Sequence, residues 1–361
     1  MKRPQRTPSY HEYLQLGKIL SAQRPPDFHA ADPTTTRDLI HHEELLFIVM
    51  HQSMELWLKM ILADMELARD LIGRPGAEDS SVPEEDIPKV ESCLERAALT
   101  LEHMTRQFTL IETMSPLNFL TFRDELIPSS GFQSWQFREV EVLAGLSEEE
   151  RIDFEGKPYY AHMPAEWRAG LDRRRNEMTL REAVIAWLAR TPVDEAFPGF
   201  AETFLDAYAV YLGEQRDYQA ANPNLAEKQK EELFARFEAS LEDARQFLLA
   251  EDDLTRRAHQ AFVFIATYRD EPLLRWPWAL VKRVLEFEEH FRLFRFRHAR
   301  MVERMIGLRP GSGGSAGVAY LDATASSYRI FGDLLKAVSY LIDARRLPSP
   351  PHDEILKFRR Q

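Results

Sequence analysis

The stretch FRLFRFRHARMVERMIG, residues 291–307, indicates most clearly how the chain folds. Apolar residues and one histidine recur there and just before it at intervals of three or four, at Phe287, Phe291, Phe294, His298, Val302 and Met305. Because an α-helix has about 3.6 residues per turn, these positions form one stripe of a predicted helix. The neighbouring arginines fall mostly on other faces and predict a basic, solvated surface, namely Arg292, Arg295, Arg297, Arg300 and Arg304.

His298 therefore lies in the middle of an otherwise apolar helix face. A histidine in such a place is usually a core residue with a satisfied hydrogen bond. The other interpretation is an axial ligand to a large, flat, apolar cofactor. The stretch alone favours the core residue, so the other motifs of the chain have to decide between the two.

Composition describes a soluble globular protein and excludes several classes. The 361 residues are 44% hydrophobic and 29% charged, and the formal net charge of -12 argues against nucleic acid or anionic lipid as a partner. The single cysteine, Cys93, permits no intramolecular disulfide and fits a reducing, cytoplasmic compartment. No CxxCH motif, secretory signal or run of 18 uninterrupted apolar residues is present, so we expect neither covalent haem attachment nor a membrane span.

The chain divides into three predicted parts. Residues 1–36 are proline-rich around a short helical piece, SYHEYLQLGKILSAQ, whose many apolar groups predict an arm that packs on the protein's own body or on a neighbouring subunit. Residues 37–345 are predicted to form one helical domain, and residues 346–361 a proline-rich tail.

Helical periodicity dominates the central domain. Long helices are predicted over 37–73 and 88–113, a shorter one over 116–127, another in WQFREVEVLAG from residue 135, and an acidic helical hairpin around 221–250. Strand-like alternation is scarce, and no repeat has a fixed period. The sequence therefore predicts an all-α bundle of long antiparallel helices.

Metal and nucleophile motifs are mostly excluded. The eleven histidines include no HExxH, and no acidic residue stands three positions before His51, His103, His259, His290 or His298. These absences argue against a zinc protease and a ferritin-like di-iron centre. No GxSxG or Cys/His/Asn nucleophile set is present. GSGGSAG, residues 311–317, lacks the lysine of a phosphate loop, so it is either a flexible connector or a loop that closes over a small ligand.

A second histidine and one arginine are candidates for a site. His51 shares a helix face with Phe47 and Glu55, at a spacing of four, and could again be a core residue. Arg123 stands just before the glycine turn PSSGFQS. It could bind a carboxylate bidentately or form a surface salt bridge with the next two residues, Asp124 or Glu125, and spacing does not separate these readings. Together the motifs suit an apolar cofactor beside an amino-acid-like substrate.

At these residues the sequence resembles the tryptophan 2,3-dioxygenase family. Four segments carry the resemblance, SYHEYLQLGKILSAQ, HHEELLFIVMHQSMELWLK, LIETMSPLNFLTFRDELIPSSGFQSWQFR and FRFRHARMVERMIGLRPGSGGSAGVAYL. RDEP at 269–272 is also similar to the family's pattern. The segments occur in the family's order and extend over most of the chain.

The resemblance implies an all-α homotetramer that binds haem b without a covalent link. His298 would be the proximal ligand of the iron and His51 the histidine on the distal side, near the indole N–H. Ser130 and Gly131 would lie beside the oxygen site. The substrate contacts would come from Phe47, Arg123, Leu126 and Ser312, and a neighbouring subunit would close the pocket with Tyr10, Tyr13 and Leu14.

The implied reaction uses O2 as co-substrate and opens the indole ring of L-tryptophan to N-formylkynurenine, the chemistry of the kynurenine pathway. Three alternatives stay open from the sequence: a haem monooxygenase that converts a substituted tryptophan to an oxindole-type product, a non-catalytic haem sensor, and a helical scaffold without a cofactor. The loop reads GSGGSAG where the family usually has GTGGSSG, and Trp135 stands where a smaller aliphatic residue is usual. We expect these departures to lie on or near the substrate side, where they affect which indole amino acid is bound.

Overall fold

Helices make up all the regular structure that the computed structural model describes, which covers residues 8–23, 41–73, 85–152, 160, 165–311 and 317–357. The all-α prediction is confirmed. The α-helices are α1 Tyr10–Tyr13, α2 Leu16–Ile19, α3 His42–Ile72, α4 Ile87–Ile111, α5 Pro116–Arg123, α6 Trp135–Ala144, α7 Ala165–Arg175, α8 Leu180–Leu188, α9 Val193–Ala196, α10 Phe200–Ala220, α11 Glu227–Leu248, α12 Asp253–Thr267, α13 Arg275–Ile306, α14 Val318–Ser327 and α15 Gly332–Ala337. Short 3-10 helices occur at Asp124–Leu126, Gly131–Gln133, Pro272–Leu274, Val338–Tyr340, Ala344–Arg346 and Asp353–Leu356.

The long helices α3 and α4 form the antiparallel centre of the bundle. His41 begins α3 by accepting the Glu43 backbone N–H on its Nδ1, so it caps the helix. Near the far end of α3, the buried carboxylate of Asp64 accepts a bidentate pair of hydrogen bonds from Arg96 of α4, at 2.5 and 2.8 Å. Earlier on α3, Ser53 donates to Gln107, which lies later on α4 than Arg96, at 3.1 Å. Because the two contacts follow opposite orders along α3 and α4, the helices are antiparallel.

Helix α13 lies along α4 in the same direction, a detail that the antiparallel prediction does not contain. Arg283 pairs with Glu95 at 2.7 Å near the start of α13, and Arg297 donates to Glu112 at 2.6 Å further along. The ring of Phe108 on α4 packs against the apolar stripe of α13 between these pairs. The stripe predicted from the sequence thus faces the bundle interior, and α14 also packs against α13.

The basic face predicted for α13 is solvated only in part. Arg300 and Arg304 are exposed as expected, but Arg295 is 7% exposed and Arg297 is half-buried. Arg295 donates to Glu141 of α6 at 2.5 Å. The prediction was wrong for Arg295 because helix periodicity places a residue on a face without revealing which neighbouring helices cover that face.

The acidic hairpin is built differently from its sequence pattern. Within 221–250 the chain forms the single helix α11, whose partner is the preceding helix α10. Tyr208 on α10 and Ser240 on α11 are joined by a hydrogen bond of 2.8 Å, and Arg216 lies over the ring of Phe234. These contacts fix an antiparallel pair with a turn after Ala220.

The N-terminal arm contacts α3 while exposing its aromatic residues. Gln52 on α3 donates to the carbonyl of Ala22 at 2.7 Å and accepts from Gln23 at 2.8 Å. Tyr10 and Tyr13 are each 75% exposed. The arm is therefore tied to α3 of its own chain at Ala22 and Gln23, whereas Tyr10 and Tyr13 are largely exposed in a single chain.

By length and composition, α3 qualifies as a candidate membrane span. A core helix of a soluble protein passes the same test, so the signal is weak. Several apolar side chains on its outer surface are exposed in one chain, namely Leu45, Val49, Leu56 and Leu67.

Candidate functional site

A cavity of about 280 Å³ lies between α3, α4, α5, α6, α13 and α14. Phenylalanine and methionine side chains form much of its wall, and the few polar groups come from separate helices. His51, Arg123 and His298 all line this cavity, together with Phe47, Ser130 and Gly131. The tertiary structure thus brings together most of the candidate site residues.

His298 projects into the cavity from the apolar stripe of α13. The ring of Phe108 stacks beside it at a centroid distance of 5.6 Å, and Phe294 lies one turn earlier at 6.2 Å. In the part of the chain that the structure describes, the imidazole has no hydrogen-bond partner, which argues against the core histidine with a satisfied hydrogen bond. Burial, and then the nearby charges of His51, Arg295 and Arg138, lower the pKa of His298 to about 4. The ring is therefore neutral near pH 7, the form that binds a metal.

His51 presents one ring nitrogen to the cavity in a defined protonation state. Its Nδ1 lies 2.7 Å from the carbonyl oxygen of Phe47. A carbonyl only accepts hydrogen bonds, so Nδ1 carries the proton and Nε2 of the neutral ring is an acceptor. The His51 side chain is exposed where it lines the cavity, but desolvation by the protein around it lowers its pKa, and the Phe47 carbonyl and the charge of Glu55 oppose this effect. The Phe47 ring packs against the imidazole at 4.1 Å.

Glu55 joins the His51 helix to the segment that carries Ser130 and Gly131. Its carboxylate accepts from the Ser134 hydroxyl at 2.6 Å and from the Gln136 amide at 2.7 Å. Ser130 accepts the Phe132 backbone N–H on its hydroxyl and so begins the 3-10 turn at Gly131. A Cβ at Gly131 would meet no atom within 4 Å, so this part of the wall borders open space. In the sequence, the spacing of four places Glu55 on the helix face of His51 but predicts no role for its carboxylate.

Arg123 bonds to the segment that leads into the glycine-rich loop. Its Nη2 donates to the carbonyl of Pro310 at 2.6 Å, and the half-buried guanidinium lines the cavity. Neither Asp124 nor Glu125 forms an ion pair with it among the described residues. The surface salt bridge left open by spacing is therefore not what the structure contains, and the charge of Arg123 faces the cavity.

Two arginines that the sequence analysis did not assign to the site also line the cavity. Arg138 on α6 and Arg295 on α13 both donate to the buried carboxylate of Glu141. The sequence contained a weak signal for them, since Arg138 lies inside a segment that carries the family resemblance and Arg295 stands one turn before His298. They give one region of an otherwise apolar wall a positive charge.

Other candidate residues lie elsewhere. Leu126 is half-buried and does not line the cavity, and Tyr10, Tyr13 and Leu14 belong to the N-terminal arm. Ser312 and the loop position Ala316 lie outside the described residues, but the flanking Gly311 and Gly317 line the cavity. Gly317 has a φ of +60° and approaches the Arg309 carbonyl so closely that a Cβ would lie 2.8 Å from it.

Trp135 does not lie where the sequence analysis expected it. Its ring packs on Trp167 at 6.0 Å, in a small apolar cluster with Val142 and Leu171. The residue is absent from the cavity wall. The expectation that Trp135 lies on or near the substrate side is not supported, because the start of α6 points this side chain towards α7.

Comparison with known proteins gives one consistent match. The profile described as Tryptophan 2,3-dioxygenase matches residues 2–341. Tryptophan 2,3-dioxygenase 2 of Ralstonia nicotianae is 38% identical, in an alignment that covers 94% of this chain and 95% of the relative. Tryptophan 2,3-dioxygenase of Sorangium cellulosum is 37% identical, and the alignment covers 97% of this chain and 87% of that relative. The enzyme of Rattus norvegicus is 33% identical, and the alignment covers 94% of this chain and 83% of that relative.

Proposed function

Since the chain belongs to the tryptophan 2,3-dioxygenase family and is an enzyme of that type, we propose that its cavity holds haem b beside L-tryptophan and that its product is N-formylkynurenine. One observation carries the proposal. His298, His51 and Arg123 line the same cavity, and His298 is neutral and without a hydrogen-bond partner among the described residues.

The residues of the cavity fit a haem. His298 would be the protein ligand of the iron, with the stacked Phe108 and the methionine side chains of α13 against the porphyrin. In the described part of the chain, no group of three or more His, Cys, Asp or Glu side chains could hold a bare metal ion. An iron bound to His298 would therefore need a macrocycle such as a porphyrin to supply its other ligands. Arg138 and Arg295 would bind the propionates.

The other polar groups fit an indole amino acid. Arg123 would bind the carboxylate, while Phe47 and the adjacent Phe119 would pack on the indole ring. His51 Nε2 would accept the indole N–H, because its Nδ1 already bears the proton that the Phe47 carbonyl accepts. Ser312 would add a hydroxyl near the carboxylate or ammonium group.

When bound, ferrous haem supplies O2 binding and the oxygen-insertion chemistry. The protein's own contribution is to orient the indole through His51 and Arg123 and to exclude water with its apolar wall. The Ser130–Gly131 turn would border the oxygen site, and Glu55 holds that turn against α3. His51 keeps a neutral acceptor near pH 7 because burial lowers its pKa, so orientation of the N–H is the role that its chemistry supports.

The assembly that we propose is a homotetramer in the cytoplasm. Tyr10, Tyr13 and Leu14 of the arm, residues 1–36, would close the pocket of a neighbouring subunit. The exposed leucines of α3, Leu45, Leu56 and Leu67, would be covered by another copy, which explains an apolar helix surface on a soluble protein. In this proposal, each subunit consists of the arm, the helical domain over 37–345 and the tail over 346–361. It binds neither nucleic acid nor a membrane.

One experiment tests the catalytic proposal. Purified protein is supplied with haem, reduced, and mixed with L-tryptophan and O2, and the product is identified by mass. We expect a Soret band and a product heavier than tryptophan by two oxygen atoms. No Soret band after haem addition would contradict the haem site. A gain of one oxygen atom would indicate the haem monooxygenase. No turnover with any indole amino acid would indicate the non-catalytic haem sensor. The names of the relatives support neither alternative.

A further inference from the structure

Glu141 is a buried carboxylate that binds three guanidinium groups. Arg138 Nη1 donates to both of its oxygens at 3.0 and 2.9 Å, Arg151 Nη1 donates to Oε2 at 2.8 Å, and Arg295 Nη2 donates to Oε1 at 2.5 Å. Glu141 itself is 0% exposed. Burial alone would raise the pKa of Glu141, but Arg138, Arg295 and Arg151 outweigh it and hold the pKa well below the usual carboxylate range.

Two of the three guanidinium groups belong to the cavity wall. Arg138 and Arg295 line the cavity, whereas Arg151 does not. The guanidinium of Arg295 lies over the Phe291 ring at 4.7 Å, and that of Arg138 lies over the Phe132 ring at 5.5 Å. Both guanidinium groups also lie over the ring of Phe137, at 5.6 Å for Arg138 and 5.2 Å for Arg295. Aromatic rings and the shared carboxylate of Glu141 therefore surround the two groups.

The charges of the cluster favour a ligand with two carboxylates. One carboxylate and three guanidinium groups sum to two positive charges, in a place where water is largely excluded. Charge-assisted hydrogen bonds from arginine to carboxylate are strong in such surroundings, provided that the donors are already in position. A porphyrin with two propionates on one edge has this chemistry.

We propose that Glu141 is a positioning residue that holds Arg138 and Arg295 in the arrangement that binds the two propionates of haem. The inference rests on the proposed haem site and assigns to Glu141 no contact with the cofactor. It requires that the guanidinium groups act through their geometry as well as through their charge.

The test compares haem with its dimethyl ester, in which both propionates are neutral. Each porphyrin is titrated into haem-free protein, and the Soret band gives the two dissociation constants. We expect the wild type to bind haem about tenfold or more tightly than the ester, the loss expected when a charge-assisted hydrogen bond is removed. Glu141→Gln should lower that ratio by about tenfold, because glutamine has one acceptor oxygen and its NH₂ group faces guanidinium donors.

Arg151→Met is the matched control. It removes one partner of Glu141 but leaves the carboxylate bound to Arg138 and Arg295, so the haem-to-ester ratio should stay within about threefold of the wild-type value. If Glu141→Gln yields no folded protein, Arg138→Lys tests the same claim. Lysine keeps the charge but has no planar fork, so the ratio should fall.

The outcomes separate this inference from the proposed function. A wild type that shows no Soret band with either porphyrin overturns the haem site itself. A wild type that binds both porphyrins equally, or a Glu141→Gln variant whose ratio is unchanged or higher, overturns only the positioning role. A ratio that falls in Glu141→Gln and holds in Arg151→Met supports it.

Discussion

Arg123 Nη2 donates to the carbonyl of Pro310 at 2.6 Å, which joins the end of α5 to the segment before the glycine-rich loop. The two residues are 187 positions apart in the chain. The bond uses one nitrogen of the guanidinium and leaves other N–H groups for a ligand. Arg123 can therefore bind a carboxylate and hold the loop at the same time, so substrate binding and loop position are expected to be coupled.

Replacing Arg123 should weaken substrate binding without removing the cofactor. Arg123→Ala is expected to lower kcat/KM for L-tryptophan by an amount equivalent to about 2–4 kcal/mol, because a partly buried charge-assisted pair is lost. Steady-state kinetics measures this effect, and the Soret band should not change. Tryptamine, which lacks the carboxylate, should react about equally poorly with both proteins. The exposed Arg304→Ala on α13 is the control.

Replacing His298 should remove the iron ligand. His298→Ala is expected to lose haem during purification or to show a changed Soret band, and added imidazole should restore part of the spectrum because it supplies the missing nitrogen. His290→Ala removes a histidine from the same helix but outside the cavity and should bind haem normally. A normal five-coordinate spectrum in His298→Ala would show that the ligand has been assigned wrongly.

The pH dependence of catalysis should report on His51. The neutral ring accepts the indole N–H and the protonated ring cannot, so kcat/KM should be lost as the pH falls through the pKa of His51. Burial lowers that pKa from its ordinary value of 6.5, which places the acid limb below pH 6.5. His51→Phe should lack this limb and have a lower plateau. An acid limb above pH 6.5 that depends on His51 would contradict the predicted direction.

Replacing Glu55 should loosen the wall of the oxygen site. Glu55→Gln keeps one acceptor for Ser134 and Gln136 where the carboxylate has two, so about 1–3 kcal/mol of unfolding free energy should be lost. We expect kcat to fall more than KM rises, since the Ser130–Gly131 turn moves while Arg123 stays in place. Urea unfolding and steady-state kinetics measure the two effects. Lys59→Gln, an exposed change on the same helix, should alter neither.

The arm tyrosines should matter only in the assembly. Tyr13→Ala is expected to lower kcat/KM severalfold without disturbing the fold of its own chain, because the side chain is 75% exposed in one chain. Tyr218 on α10 is 72% exposed and makes a matched control. Light scattering establishes whether the variants remain tetrameric. Equal activities for the two variants would leave the arm without a role in the pocket.

The sequence by itself determined the fold class and the iron-ligand candidate. Periodicity in residues 287–305 is a local property of helix geometry, so it placed His298 on an apolar stripe before any neighbour was known. The same holds for α4, which was predicted over 88–113 and extends from Ile87 to Ile111. Pro116 likewise marked the start of α5, because proline is favoured in the first turn.

Only the tertiary structure decided which side chains meet. Arg295 was predicted to be solvated, but it is buried and donates to Glu141, which lies 154 positions earlier in the chain. Trp135 was expected near the substrate and packs on Trp167 instead. Helix periodicity fixes the direction of a side chain relative to its own axis, whereas its surroundings depend on how separate helices pack. The positive charge of the cavity wall and the side chains that surround His51 and His298 could therefore be read only from the fold.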